Sequence, residues 1–225
     1  MKKHILAFVM FCMGCLNLQA QDTVKDWANF GRYREANEAI ENPVKAVFMG
    51  NSITDNWAKM HPEFFTENGY VGRGISGQVS AQMVMRFRRD VIDLHPKAVV
   101  ILAGTNDIAL NDYAMTLEET LNNVKTMVDL ARANDIKVVI CSTMPAYQFG
   151  WRKALRPAQD IKRLNRMMQL YALENHIPYV DYHSAMKDER DGLPLKYSPD
   201  GVHPNLEGYA VMEKIIQNTL KKIVK

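Results

Sequence analysis

Five short apolar runs alternate along this chain with segments whose apolar residues recur every three or four positions, and this alternation limits what the chain can fold into. The runs are Val47-Phe48-Met49, Tyr70 to Ile75, Ala98 to Ala103, Lys137 to Thr143 and Pro178 to Tyr182. The run from Ala98 is continuously apolar, as a strand covered on both faces must be, and Tyr70 to Ile75 is the weakest. Between the runs, Met83, Val84, Phe87, Val91 and Ile92 keep a helical period up to Pro96, with Arg86, Arg88, Arg89 and Asp90 on the other face, which reads as solvated. Thr116 and Glu119 form a capping-box pattern before Leu117, Leu121, Val124, Val128 and Ala131. Ile161, Leu164, Met168, Tyr171 and Ala172 mark a third helix, and Leu206 to Ile223 a closing one. Trp57, Pro62, Phe64 and Phe65 suggest short helical turns over the sheet, and Trp27, Phe30, Tyr33 and Ala36-Asn37 an amphipathic helix ended by Pro43. Strand and helix in strict alternation predict an α/β fold: a five-stranded parallel sheet in three α/β/α layers, flavodoxin-like. At 225 residues and 47% hydrophobic content, one domain accounts for the chain.

The N-terminus reads as a separate object. Lys2 and Lys3 precede an apolar stretch from Ile5 to Leu16, and Leu18-Gln19-Ala20 suits cleavage before Gln21. Residues 1–20 are therefore expected to be a secretory signal and residues 21–225 the working domain, secreted or periplasmic. About a dozen apolar residues are too few for a membrane span. Lipid attachment at Cys15 is a second reading, less well supported because Cys12 and Met13 fit poorly before it. Loss of the two lysines leaves 26 basic against 25 acidic residues, a balance with no electrostatic footprint for nucleic acid. Of three cysteines only Cys141 remains, in an apolar run, where it reads as a small buried hydrophobe.

In open parallel sheets, ligands bind at the carboxyl ends of the strands. Those ends carry Ser52, Gly74 to Gly77, Asn106, the Tyr147 to Trp151 loop, and Tyr197-Ser198-Pro199-Asp200-Gly201-Val202-His203-Pro204 after the fifth strand. Ser52 is either a helix cap or a nucleophile; its local sequence does not decide. Asp200, three residues before His203, can hold one imidazole nitrogen while the other takes a serine proton. By itself the pair is equally a turn cap and a residue preceding a helix.

Four blocks in order resemble the SGNH hydrolases, the GDSL-type esterase and lipase family. They are Gly50-Asn51-Ser52-Ile53-Thr54, Gly74-Ile75-Ser76-Gly77-Gln78, Gly104-Thr105-Asn106-Asp107 and Asp200-Gly201-Val202-His203-Pro204. One such block is common by chance, and four in this order are specific. The resemblance implies Ser52 as nucleophile, His203 as base and Asp200 as its orienting acid. It also implies an oxyanion hole from the N–H groups of Ser52 and Gly77 and the side-chain amide of Asn106. Glycine at 77 would let a backbone donor approach without a Cβ in the way, and Asp107 reads as structural. One departure is Asn51, where the family name implies Asp. That Asp is not the triad acid, so the catalytic roles stand and the local loop geometry is in question.

No tight His, Cys or carboxylate motif suggests a metal, no phosphate loop follows the glycines, and no cofactor is expected. His61, His95 and His176 read as surface or capping residues, and Asp181 and His183 as outer neighbours of the site. The resemblance and the want of an extended apolar lid point to an esterase removing a small acyl group, acetyl, from a carbohydrate. Tyr147, Phe149 and Trp151 lie where a sugar could stack, and Arg152, Lys153 and Arg156 read as solvated. Rival readings are a lysophospholipase or thioesterase of the same family, and a carbohydrate-binding protein without turnover.

Overall fold

The computed structural model describes residues 26–41 and 43–224. The expected secretory segment, residues 1–20, lies outside them. Five strands, β1 (Ala46–Gly50), β2 (Tyr70–Gly74), β3 (Ala98–Leu102), β4 (Lys137–Cys141) and β5 (Tyr179–Val180), form one all-parallel sheet in the order β2-β1-β3-β4-β5. That order reverses beside β1, which puts the switch point of the sheet, and hence its crevice, where β1 ends in Gly50.

Side chains alternate across each strand, and the core divides accordingly. Val47, Met49, Val99, Ile101, Val138 and Ile140 face one way, onto α4 (Ser80–Asp90), α6 (Leu117–Arg132) and α7 (Ala158–Glu174). Ala46, Phe48, Val100, Leu102, Val139 and Cys141 face the other way, onto α2 (Ser52–Met60), α3 (Pro62–Thr66), α8 (Tyr182–Met186) and α9 (Leu206–Ile223). The expected three layers follow. Thr116 accepts from the Glu119 N–H and Glu119 accepts from the Thr116 N–H, so the capping box starts α6 as read. Burial pushes the Cys141 thiol up to about 12, as befits an inert core residue.

On the second face, aromatic rings bind elements together. Phe48 meets Trp57 and Phe65 edge-on at 5.5 and 5.3 Å, while Trp57 stacks on Tyr209 at 5.4 Å. The Tyr209 hydroxyl donates to the Ile53 carbonyl at 2.8 Å. Helix α9 is thereby fixed against the first turn of α2.

Two expectations need correction. The segment from Trp27 to Asn37 is mostly turns, and its only helix, α1 (Arg34–Glu38), buries no residue. Side chains of the domain hold the segment by its backbone: Gln78 Nε2 and Gln82 Nε2 donate to the Ala28 and Trp27 carbonyls at 2.8 and 2.7 Å. Trp27 Nε1 donates to Asp112 at 2.6 Å. Nor are Arg86 and Asp90 on a solvated face, for they are 0% and 3% exposed. Arg86 donates to Asp90 at 2.8 Å, to Gln78 Oε1 at 2.6 Å and to the Gly50 carbonyl at 3.0 Å. Burial pulls its pKa down and Asp90 pushes it back up, and the three acceptors make a buried guanidinium tolerable.

Candidate active site

Strand β1 turns into α2 through a single residue, Asn51, and the turn decides which side chain caps the helix. Asn51 Oδ1 accepts from the Ile53 N–H at 3.1 Å, so the cap is Asn51 and the hydroxyl of Ser52 is left for other work. The departure from Asp therefore keeps a cap that either residue provides. The turn is tight: a Cβ at Gly50 would lie 2.1 Å from Thr54 Oγ1, and one at Gly74 would lie 2.2 Å from the Asp55 nitrogen. Only glycine at the ends of β1 and β2 lets the first turn of α2 sit this close.

His203 arrives on the loop between α8 and α9. Asp200 shapes that loop, since its Oδ1 accepts from the Ser198 hydroxyl at 3.0 Å and from the Val202 and His203 N–H groups at 2.9 and 2.8 Å. Its Oδ2 meets His203 Nδ1 at 2.7 Å, and His203 Nε2 meets Ser52 Oγ at 2.9 Å. Serine, imidazole and carboxylate thus stand in one hydrogen-bonded row. Partial burial raises the Asp200 carboxyl, but the His203 ring and the two backbone N–H groups outweigh it and hold the pKa at about 2. At neutral pH the carboxylate is ionised and accepts a hydrogen bond from Nδ1–H, which leaves Nε2 able to accept from Ser52.

Gly77 lies after β2 at φ +82°, in the left-handed region. An added Cβ would meet nothing within 4 Å, so its backbone conformation rather than protein crowding calls for glycine. Among the described residues, the N–H groups of Ser52 and Gly77 have no backbone acceptor. Asn106, 2% exposed in α5 (Thr105–Ile108), donates from Nδ2 to the Gln78 carbonyl at 2.9 Å, which brings it beside the Gly77 loop. Asp107 accepts from the Ser80 N–H and hydroxyl, a structural task that joins α5 to the start of α4.

Trp151 is 45% exposed, and its ring centre lies 6.2 Å from that of His203. Phe149 is fully buried and stacks on Trp151 at 5.1 Å, so it backs the indole rather than facing a ligand. Tyr147, also 45% exposed, carries the Arg190 guanidinium over its ring at 5.0 Å. With Leu193, Pro199, Asp200 and Gly201 it lines a cleft of about 270 Å³. Arg152 is exposed, as read, and donates to the Leu110 carbonyl at 3.1 Å.

The remaining candidates play local parts. Asp181 caps α8, and the His183 N–H donates to Ser142 at 2.9 Å. His61 pairs with Glu213 at 2.6 Å, and His95 and His176 occupy left-handed turn positions. Among the described residues, no cluster of three or more His, Cys, Asp or Glu side chains could hold a metal ion. Sequence reasoning missed Arg86 and Asn111. Asn111 donates to Asn106 Oδ1 at 2.8 Å, a contact that no spacing rule announces.

Comparison with known proteins follows the same lines. Residues 48–211 match the model of the GDSL-like lipase/acylhydrolase family. A crystal structure of a candidate acylhydrolase from Bacteroides fragilis superposes with a TM-score of 0.87 at 48% identity, covering 89% of this chain and 100% of that one. An acetylxylan esterase of Xylanibacter ruminicola is 23% identical over 219 residues, covering 80% of this chain. This chain spans 44% of that protein's length. An acetylxylan esterase of Geobacillus stearothermophilus is 24% identical over 209 residues, covering 76% of this chain and 90% of that protein. The match runs from within β1 to the start of α9 and includes all four motif blocks, so this chain belongs to the GDSL-like lipase/acylhydrolase family of SGNH hydrolases.

Proposed function

We propose that the protein is a secreted serine esterase that removes short acyl groups, acetyl foremost, from a carbohydrate through an acyl-enzyme on Ser52. The row from Ser52 through His203 to Asp200 is the observation that carries the reading. Ser52 Oγ attacks the acyl carbon as His203 Nε2 takes its proton, and the carbonyl oxygen becomes an oxyanion. The N–H groups of Ser52 and Gly77 and the second Nδ2 hydrogen of Asn106 stabilise that charge. Collapse expels the sugar alkoxide, which takes the proton from Nε2. Water then attacks the acyl-enzyme, giving its proton to Nε2, and the carboxylic acid leaves as Ser52 Oγ regains a proton. Asp200 keeps the imidazole in the tautomer this cycle needs and stays ionised throughout.

Two observations support a carbohydrate leaving group. Half-exposed Trp151 stands beside His203, where a sugar face can stack on the indole. Two relatives are acetylxylan esterases. On this reading Ser52→Ala and His203→Ala each lower kcat by about 10⁴-fold or more. Asn106→Ala lowers it by about 10²- to 10³-fold.

The deciding assay measures turnover of p-nitrophenyl esters from acetate to octanoate, with acetate release from acetylated xylan and other acetylated glycans. Fastest turnover of acetate, with release from a glycan, is the expected result. An optimum at long acyl chains would replace it with a lysophospholipase or thioesterase, and glycan binding without turnover with a binding protein.

A further inference from the structure

Trp151 is joined through Asn111 and Asn106 to the Gln78 carbonyl by a row of three hydrogen bonds whose direction is set at both ends. The Trp151 indole Nε1–H donates to Asn111 Oδ1 at 2.8 Å, Asn111 Nδ2 donates to Asn106 Oδ1 at 2.8 Å, and Asn106 Nδ2 donates to the Gln78 carbonyl at 2.9 Å. An indole N–H can only donate and a backbone carbonyl can only accept. The two amides between them therefore have one arrangement that satisfies every group. Turning either amide over would oppose oxygen to oxygen or N–H to N–H, and Asn106 is too deeply buried for water to relieve the mismatch.

The backbone repeats the connection. The Asn111 N–H donates to the Asn106 carbonyl at 3.1 Å, and Arg152, next to Trp151, donates to the carbonyl of Leu110, next to Asn111. Leu110 is held at φ +53°, so the chain doubles back there and brings Asn111 over Asn106. Of the two Nδ2 hydrogens on Asn106, one is committed to Gln78 and the other stays available to a ligand.

We propose that Asn111 and the Trp151 indole N–H are positioning residues for Asn106. They fix the rotation of its amide, so that the second N–H is aimed before substrate arrives, and they tie the sugar-stacking ring to the oxyanion donor. This assignment rests on the esterase reading above. Aligned donors polarise one another, so loss of the outer bonds also weakens the inner donor. Gln78 still holds Asn106 when the outer links are cut, so the effect is smaller than loss of the donor itself.

The test compares wild type, Asn111→Ala, Trp151→Phe and the double variant on p-nitrophenyl acetate, whose small leaving group needs little from the indole face. Trp151→Phe keeps an aromatic ring and removes the N–H along with part of the indole face, on which p-nitrophenyl acetate depends little. At a half-exposed position it also keeps the fold testable if Asn111→Ala loosens the loop. The expected result is a fall in kcat of about tenfold for Asn111→Ala and severalfold for Trp151→Phe, with KM within about twofold, less than the 10²-fold or more for a lost donor. Because both changes break one row, the double variant falls no further than Asn111→Ala. Unchanged kcat, or effects that multiply, would overturn the assignment. If wild type turns over no ester, the esterase reading fails separately, and the row is judged by NMR. The Asn106 side-chain amide protons must then shift in Trp151→Phe, and unmoved resonances overturn the assignment.

Discussion

Gly77 and Arg86 show how single residues shape the site without touching the serine. A side chain at Gly77 fits in space but not in the left-handed backbone, so Gly77→Ala costs roughly 1–2 kcal/mol if the loop keeps its shape. If the loop relaxes instead, the Gly77 N–H turns away from where the proposed oxyanion would form. We expect the second cost to dominate, with kcat down at least tenfold and the urea midpoint little changed. Arg86 lies one step further out. Arg86→Met would strip Asp90, Gln78 Oε1 and the Gly50 carbonyl of their buried donor at once. Breaking such a pair from one side costs about 3–5 kcal/mol, which urea unfolding measures directly. Arg86 was not legible in the sequence, because a helical period counts any charged residue as belonging to the wet face. Its partners at positions 50 and 78 lie on other elements, and only the folded chain brings them together.

The elements meet at the site because α2 and α9 are clamped to each other. Glu213 of α9 accepts from Trp57 Nε1 of α2 at 2.9 Å and pairs with His61 at 2.6 Å. The Glu213 hydrogen bond raises the pKa of His61, chiefly against a small cost of burial. A raised folded value means this contribution is full below about pH 6.5, the unfolded value, and is lost as pH rises through the folded one. The His61 side chain is 42% exposed, so the effect is modest. A thermal melt of wild type should lose stability across that window, and His61→Phe should lose this component. Asp200 runs the opposite way. Its folded pKa of about 2 lies below the unfolded value, so its contribution is present above about pH 4 and is lost as pH falls through about 2. Asp200→Asn should flatten that acid limb in urea titrations. Of the helices that carry these contacts, α9 lies where its period placed it, at Leu206–Ile223, whereas the segment around Trp57, read only as short helical turns, forms the nine-residue helix α2 (Ser52–Met60). The short α5 and α8 were not readable, because a helix of one turn has too few residues to show a period.

At the scale of the whole molecule, the order of apolar runs was enough to anticipate the sheet. A parallel strand buried on both faces needs consecutive apolar residues, and Ala98 to Ala103, short and centred on Val99-Val100-Ile101, fits it. That Ser52, Gly77, Asn106 and the Asp200–His203 loop would gather at one edge also followed, since every strand's carboxyl end points the same way. What stayed illegible were links made by polar side chains across distant loops, such as Trp151 to Asn111, where hydrogen bonding leaves no pattern in either segment. The N-terminal segment shows the same blindness: Trp27, Phe30 and Tyr33 have helical spacing, yet the segment is mostly turns, with Gln78 and Gln82 bonded to the Ala28 and Trp27 carbonyls. The account as a whole stands on Ser52 being a nucleophile activated by His203. Its most direct test is the intact mass of the protein after exposure to a fluorophosphonate, with peptide mapping of the adduct. The expected result is one adduct on Ser52, absent in Ser52→Ala and slowed by about 10³-fold or more in His203→Ala. An unmodified wild-type protein, or an adduct that persists in Ser52→Ala, would contradict it.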